Sequence, residues 1–486
     1  MDDMKTLTGN EAAMYYKLLK LKNRVYDAAQ IDWDHMMFDR SATWKLLIPL
    51  MIENLLASFM GMADSMMVTR IGSAAISAVS LTDAINNLVI QLFSAMATGG
   101  TILCSQYIGS GDTKKANAAA HQVVLSMTSI AIVISLFAEA LNGQLLRLVF
   151  GSVEPAVLSA AEIYFRFTAA SFPFLGLYQI GAAFYRAGGN SRFPMRVSVI
   201  SNVMNIIGNA IFIFGFGWGV AGAAFSTLLS RMLAAIILFV FLRKPKQVIV
   251  VREYLIRPDF DMIARILAIG IPSGIENSMF QFGKLAIQSS VSTLGTTAIA
   301  AQAMAIIFEN INGIGGLAVG IGLMTMVGQT LGAGRKEEAK YYIVHLMDIS
   351  NWVIIISCAI TFIACKPVMW LAGMEPEAAK ICYDMVIFIT ISKIFVWVPS
   401  FLPSYGLRAA GDVRFTMIVS SLSMWITRVA MVTYLIRVCG MGPIAVWIGM
   451  ASDWCVRGAF FLYRFMSGKW LSHSVIEHDE GQHSKQ

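Results

Sequence analysis

Two carboxylates lie within one long apolar stretch, residues 48–72 of the chain. They are Glu53 and Asp64, and the residues around them are typical of a membrane-spanning helix. A charge at the centre of such a helix costs about 2.5 to 3.5 kcal/mol, so an acid there predicts a site that handles ions or substrates. The alternative is a structural role, in which hydroxyl and backbone groups satisfy the carboxylate.

The pattern around these acids returns in the second half of the chain. Residues 271–295 repeat the Ile-Pro pair, the Ile-Glu-Asn triplet and the closing glycine, at an offset of 223 residues from Pro49 to Pro272. The same offset pairs Asn54 with Asn277, Phe59 with Phe282, Gly72 with Gly295, Gln106 with Gln329, Gly109 with Gly332 and Gly111 with Gly334. Because this register persists over so long a distance, we infer that the chain consists of two copies of one unit.

The repeat separates the two acids. Glu53 has a counterpart in Glu276, which predicts a shared structural role, such as bonding a neighbouring helix, with a substrate or gating role as the alternative. Asp64 instead corresponds to Ile287 in the second copy. This asymmetry places the expected coupling site in the first half of the chain.

Basic side chains in the second half also lie within apolar segments. Lys284 and Lys393 need partners there, and a static ion pair is expected, with a pair that breaks and reforms as the alternative substrate or gating role. The candidate partners are Glu276, Asp384 and Glu309. Asp453 and Arg457 are four residues apart in the last apolar segment, a spacing that predicts an ion pair within one helix.

Prolines interrupt the fourth and tenth apolar segments at nearly matching places. They are Pro173 in the fourth, and Pro399 with Pro403 in the tenth. Kinked spans at corresponding positions of two repeats indicate the moving or binding region of a transporter. A bend fixed only by helix packing is the alternative.

The composition indicates an all-α integral membrane protein. The 486 residues are 57% hydrophobic and 14% charged, with a mean hydropathy of +0.65, whereas a soluble domain is about 25% charged. A span needs about 20 apolar residues, and about twelve such segments are predicted. They cover residues 43–69, 75–108, 115–142, 157–186, 193–215, 219–242, 263–293, 298–331, 337–365, 378–407, 415–438 and 443–467.

These spans predict two parallel six-helix lobes around a central cavity. The expected parts are an N-terminal segment 1–42, an N-lobe 43–242, a linker 243–262, a C-lobe 263–468 and a tail 469–486. The net charge of +7 comes from lysines and arginines concentrated in alternate loops, not from a basic soluble domain, so no nucleic-acid partner is expected. By the positive-inside rule both termini are cytoplasmic, in the plasma (inner) membrane.

Several motifs together carry a resemblance to a known family. They are Gly61-Met62-Ala63-Asp64-Ser65, Ser105-Gln106-Tyr107 with Gly109 and Gly111, Arg186-Ala187-Gly188-Gly189, and Asn205 with Asn209 followed by Gly219-Val220-Ala221-Gly222. Over about residues 43–470 the chain resembles the multidrug and toxic compound extrusion (MATE) transporters, which belong to the multidrug/oligosaccharidyl-lipid/polysaccharide exporter (MOP flippase) superfamily. The resemblance implies export of drugs by cation-coupled antiport.

The resemblance also implies roles for particular residues. The matching first-span aspartate of such proteins is the protonatable or cation-binding carboxylate, which here is Asp64, and Asn205 and Thr227 hold the positions of the polar residues around it. Where many relatives carry a second carboxylate, this chain has Asn209, so H⁺ and Na⁺ both stay open as the coupling ion. The NorM-like branch has acids where this chain has Phe280 and Trp397, which favours a DinF-like arrangement with coupling in the N-lobe.

We therefore expect a secondary multidrug antiporter that works by alternating access. Its expected substrates are small, organic, cationic and aromatic. We expect a monomer in the lipid bilayer. We expect no cofactor beyond the coupling ion, H⁺ or Na⁺, and no metal other than Na⁺ at Asp64. One alternative is a flippase for a lipid-linked oligosaccharide or precursor, which would need a wide basic cavity. A more distant alternative is a membrane-embedded enzyme, but the six histidines form no metal-binding pair and no nucleotide motif appears.

Overall fold

The computed structural model describes residues 25–151, 154–254, 256–473 and 475–476. Most of the predicted N-terminal segment and most of the predicted tail lie outside these residues. The described chain is all-α, without a β-strand.

The described residues of the first half of the chain fold into eight α-helices. They are α1 (Arg40–Thr69), α2 (Ser73–Gly109), α3 (Thr113–Ala140), α4 (Asn142–Phe150), α5 (Pro155–Ala170), α6 (Phe172–Ala187), α7 (Arg192–Asn209) and α8 (Gly219–Leu242). A π-helical segment, Ala210–Gly215, continues α7.

The described residues of the second half fold into seven α-helices, of which the first two are long, as in the first half. They are α9 (Phe260–Val291), α10 (Thr296–Gly332), α11 (Lys336–Leu371), α12 (Pro376–Ala409), α13 (Val413–Leu422), α14 (Met431–Arg437) and α15 (Ile444–Met466). A π-helical segment, Ser423–Ala430, joins α13 to α14. The fifth and eleventh predicted spans thus both contain π-helix, a rare conformation that is frequent at functional sites.

Ten of the twelve predicted spans are apolar enough to cross a membrane. Among the described residues, nine helices pass by length and composition, and the bent pair α5 and α6 makes ten if it counts as one span. The seventh and twelfth spans correspond to α9 and α15, which are long but carry several charged side chains. These are Asp261, Arg265, Glu276 and Lys284 in α9, and Asp453, Arg457 and Arg464 in α15.

The prolines act differently in the two halves. The fourth span bends by 44° between α5 and α6. Pro173 lies in the first turn of α6, where backbone N–H groups have no acceptor within the helix, so the proline removes no helical hydrogen bond. The tenth span stays one helix, α12, through both Pro399 and Pro403. At these matching positions the fourth span is therefore broken into two helices, whereas the tenth is continuous.

The first helix of each repeat begins against the opposite lobe. Leu46, Leu47 and Leu50 of α1 belong to the buried cluster of the C-lobe, whereas Ile266 of α9 belongs to that of the N-lobe. Beyond Glu53, the described part of α1 buries one residue, Val68. Each lobe is therefore anchored to the other by one crossing helix.

The two lobes meet closely where α2 and α10 end. The Gln106 side chain donates to the Ala409 carbonyl at 2.7 Å, and the Gln329 side chain donates to the Ala187 carbonyl at 2.5 Å. A Cβ atom on Gly109 would lie 1.9 Å from the Gln329 carbonyl oxygen, and one on Gly332 would lie 2.0 Å from that of Gln106. The repeat thus builds a symmetric contact between the lobes, which we call the clasp and which consists of Gln106, Gly109, Gln329 and Gly332. Only glycine permits this approach of the backbones.

Candidate functional site

Asp64 lies half-buried on α1, facing the end of α7. The Asn209 side-chain amide donates to Asp64 Oδ1 at 2.8 Å, and Asn209 itself is almost fully buried. Asn205 lies one helical turn earlier, on the same face of α7, because residues four apart are neighbours on a helix. The π-helical segment begins directly after Asn209, so the regular helix ends at this contact.

Asn205 connects Asp64 to α8. In one orientation its amide donates to Thr227 Oγ1 at 3.3 Å and accepts from Asn209 at 3.4 Å. With the amide turned over, Asn205 donates to both oxygens of Asp64, at 2.7 and 3.3 Å. The α7 backbone is held in place by Ser226, whose hydroxyl donates to the Asn205 carbonyl at 2.8 Å. The four side chains predicted to couple transport therefore lie together; we call Asp64, Asn205, Asn209 and Thr227 the Asp64 cluster.

The Asp64 cluster offers oxygen ligands and one acid. Asn209 Oδ1 is buried and accepts no hydrogen bond from the described residues. A protonated carboxyl group is a hydrogen-bond donor, and carboxylate and amide oxygens are ligands suited to hard cations. The cluster can therefore hold either a proton or a small cation.

Two further charged residues lie near this cluster, and sequence reasoning did not assign them to it. Asp83 of α2 and Arg231 of α8 are close enough to act electrostatically on Asp64, and Arg231 also donates to Ser171 at 2.7 Å, at the bend between α5 and α6. An arginine inside the sixth apolar segment was the available signal. The N-lobe site thus has two carboxylates and one guanidinium.

The glutamates of the repeat form equivalent ion pairs away from the Asp64 cluster. Arg186 Nη2 donates to Glu53 Oε1 at 2.6 Å, and Arg408 Nη2 donates to Glu276 Oε1 at 3.3 Å. Tyr178 also donates to Glu53, at 3.2 Å. In both halves the glutamate bonds a neighbouring helix, α6 in the N-lobe and α12 in the C-lobe.

Lys393 of α12 is fully buried and bonds one of the three proposed partners, Glu309. Its Nζ lies 2.8 Å from Glu309 Oε1 and 3.0 Å from the Glu309 carbonyl oxygen, and it also donates to Asn312. Glu276 is taken by Arg408, and Asp384 is exposed. Lys284 forms no ion pair with the described residues and lies 5.2 Å from the centre of the Phe280 ring.

The predicted pair within the last span is part of a larger network. Arg457 and Arg428 each donate to Asp453 Oδ2 at 2.6 Å, and Ser423 donates to Asp453 Oδ1. Asp453 and both arginines are buried. Arg428 comes from the π-helical segment, so sequence spacing alone did not reveal its part in this network.

Comparison with known proteins gave consistent results. A family model described as MatE matches residues 49–211 and 272–434. "Probable multidrug resistance protein NorM" of Thermotoga maritima is 27% identical over 445 residues, covering 89% of this chain and 93% of that protein. "Uncharacterized transporter YisQ" of Bacillus subtilis is 27% identical over 449 residues, covering 90% of this chain and 95% of that protein.

Solved structures share the fold at lower identity. "Crystal structure of MATE in complex with MaL6" has a TM-score of 0.83 at 19% identity and covers 93% of this chain and 98% of its own. "Outward-facing conformation of a multidrug resistance MATE family transporter of the MOP superfamily" has a TM-score of 0.83 at 19% identity and covers 88% and 96%. These likenesses show a common two-lobed helical architecture.

Proposed function

The chain belongs to the MatE family, and on that premise we propose that it exports small organic compounds by antiport against H⁺ or Na⁺. The family membership and the multi-pass architecture make it a membrane transporter rather than an enzyme. Relatives that are named multidrug resistance proteins align along most of their length, which supports multidrug efflux as the activity.

The observation that carries the coupling proposal is the Asp64 cluster. An acid of an apolar helix meets the amides of α7, and one of these amides bonds a hydroxyl of α8. Beside them lies an amide oxygen to which no described residue donates. When Asp64 is ionised, the amide N–H groups of Asn209 and Asn205 satisfy it. When it is protonated, it has an O–H to donate, and Asn209 Oδ1 is a buried acceptor nearby. The two states favour different arrangements of α1, α7 and α8, which couples the ion to helix packing.

The coupling site belongs to the N-lobe in this proposal. Phe280 and Trp397 occupy the C-lobe positions at which a NorM-like arrangement would have acids. Two carboxylates of the C-lobe interior, Glu309 and Asp453, are instead paired with cations. This pairing favours the DinF-like branch.

The proposed transport cycle alternates access between the two sides of the membrane. The lobes touch at the Gly109 and Gly332 clasp, at the end that we propose faces the cytoplasm together with both termini. Opening of this end, with closure of the opposite end, would move a substrate across. We propose the plasma membrane as the location and a monomer as the working unit.

The proposed N-lobe substrates are aromatic cations. Asp64 and Asp83 make the site attractive to positive charge, with Arg231 as the nearby counter-charge. Rings lie on the π-helical continuation of α7 and at the start of α8: Phe212 is stacked on Trp218 at 5.3 Å and meets Phe225 edge-on at 5.1 Å. Aromatic faces attract organic cations.

Ethidium transport by the full-length protein in liposomes tests the coupling proposal. Proton and sodium gradients are imposed separately, with choline replacing Na⁺ in the control buffer. We expect one gradient to drive transport, and Asp64→Asn to reduce that transport to the level of empty liposomes. The amide does not take up or release a proton, and it has no negative charge to hold Na⁺.

The matched control is Asp384→Asn, which removes an exposed carboxylate from α12 and should leave transport unchanged. Gradient-driven transport that survives in Asp64→Asn would refute the assignment of Asp64 as the coupling residue. Transport by the unchanged protein that follows neither gradient would refute antiport.

A further inference from the structure

A cavity of about 160 Å³ opens in the C-lobe, away from the Asp64 cluster. It lies between α9, α10, α12, the π-helical segment Ser423–Ala430 and α15. Its lining includes Phe280, Lys284, Glu309, Trp397, Arg428 and Trp454. No part of the proposed cation coupling uses this cavity.

Cations outnumber carboxylates around the cavity. One carboxylate, Asp453, serves two arginines, Arg428 and Arg457. Glu309 is bonded to Lys393, which leaves Lys284 without an ion pair among the described residues. In the N-lobe site, carboxylates outnumber cations. The two lobes therefore favour ligands of opposite charge.

The lining also has hydrogen-bond donors that lack acceptors. Arg428 Nε and Trp454 Nε1 are buried and bond nothing within the described chain. Both groups can only donate, and a buried donor without a partner costs about 1 to 3 kcal/mol. The wall of the cavity therefore has donor capacity that the described residues do not use.

The remaining walls of the cavity are aromatic. Trp397 is stacked on Phe401 at 4.8 Å, and Phe401 meets Trp454 edge-on at 6.2 Å. Phe280 is flanked by Lys284 at 5.2 Å and by Arg428 at 5.2 Å. An engineered apolar cavity of about 150 Å³ is large enough to bind benzene, so this cavity accommodates one aromatic ring.

We propose that the C-lobe cavity is a binding site for small aromatic carboxylates. The carboxylate is held by Lys284 and Arg428, and the ring lies among Phe280, Trp397 and Trp454. This site takes an anion, so it goes beyond the export of aromatic cations and does not depend on the Asp64 cluster.

Equilibrium binding of radiolabelled benzoate to the full-length protein in phosphatidylcholine nanodiscs tests the proposal. We expect saturable binding that unlabelled benzoate displaces and that neutral benzamide and cationic benzylamine do not. Lys284→Gln should weaken binding at least about tenfold, the effect of losing one charge-assisted hydrogen bond. Lys284→Arg should retain it.

Lys366→Gln is the matched control. It also removes a lysine that lies over an aromatic ring, Tyr383, at 4.4 Å, but outside the cavity. It should leave benzoate affinity unchanged. Lys284→Gln should keep the thermal stability of the unchanged protein, because Lys284 forms no ion pair with the residues that the structure describes.

Four results would overturn the proposal. The first is absence of saturable binding, and the second is equal displacement of benzoate by benzylamine. The third is equal benzoate affinity in Lys284→Gln and the unchanged protein. The fourth is loss of benzoate binding when phosphatidylglycerol is added to the nanodiscs, which would assign the site to an anionic lipid head group.

Discussion

Alanine at Gly332 should force apart the end of the molecule at which the lobes meet. Its Cβ would lie 2.0 Å from the Gln106 carbonyl oxygen, whereas Cβ contacts below 3.0 Å essentially do not occur. The backbones of α2 and α10 must therefore separate by about 1 Å. Overpacking of this kind costs about 1 to 3 kcal/mol.

This cost applies only to the state in which the clasp is closed. A penalty of about 1 to 3 kcal/mol changes an equilibrium about 5- to 150-fold. We therefore expect Gly332→Ala to raise the ratio of opened to closed molecules by that factor. Alanine is also a better helix former than glycine, so helix α10 itself should not be weakened.

Electron–electron distance measurements between two spin labels can follow the opening. Ser110→Cys and Lys336→Cys place labels at exposed positions next to the clasp, on opposite lobes. The exposed native cysteines, Cys439 and Cys455, are first replaced by serine. Gly332→Ala should increase the fraction of long distances.

Gly100→Ala is the control for this experiment. It lies on α2, and its Cβ would press on the Val123 side chain at 3.0 Å, inside the N-lobe rather than between lobes. It should reduce stability without changing the label distances. Unchanged distances in a folded Gly332→Ala protein, or the same shift in Gly100→Ala, would refute the clasp.

The ion pairs lead to two further predictions. Lys393→Met should lower the free energy of unfolding by about 3 kcal/mol, the low end for breaking a buried pair because Glu309 is 20% exposed. The double variant Lys393→Met with Glu309→Leu should recover most of this loss in denaturant unfolding, and no recovery would contradict the pairing. Glu53→Gln should lower the melting temperature more than Glu276→Gln, because Arg186 lies 2.6 Å from Glu53 whereas Arg408 lies 3.3 Å from Glu276. Equal losses of melting temperature would show that these distances do not govern stability.

Charge partners could be predicted from the sequence only where they lie close along one helix. Asp453 and Arg457 are one turn apart, and their pair was predictable from that spacing. Arg428 reaches the same carboxylate from another helix. Which of three acids pairs with Lys393 likewise depends on how α10 packs against α12.

The Asp64 cluster shows the same division between local and tertiary information. The acid itself, and its lack of a counterpart in the second repeat, are visible in the sequence. The family pattern indicated Asn205, Asn209 and Thr227, whereas Asp83 and Arg231 became part of the site only through the packing of α2 and α8.

The sequence by itself determined that the chain is a helical membrane protein of two repeats. It also determined that the acid Asp64 of the first span has no counterpart in the second repeat. Hydropathy, internal register and the position of one carboxylate are properties of local stretches, so they need no knowledge of packing. The tertiary structure decided which buried charges neutralise one another, which lobe keeps an excess of cations, and where the lobes touch. Those features depend on contacts between helices that are distant in the chain, and no local pattern encodes their distances.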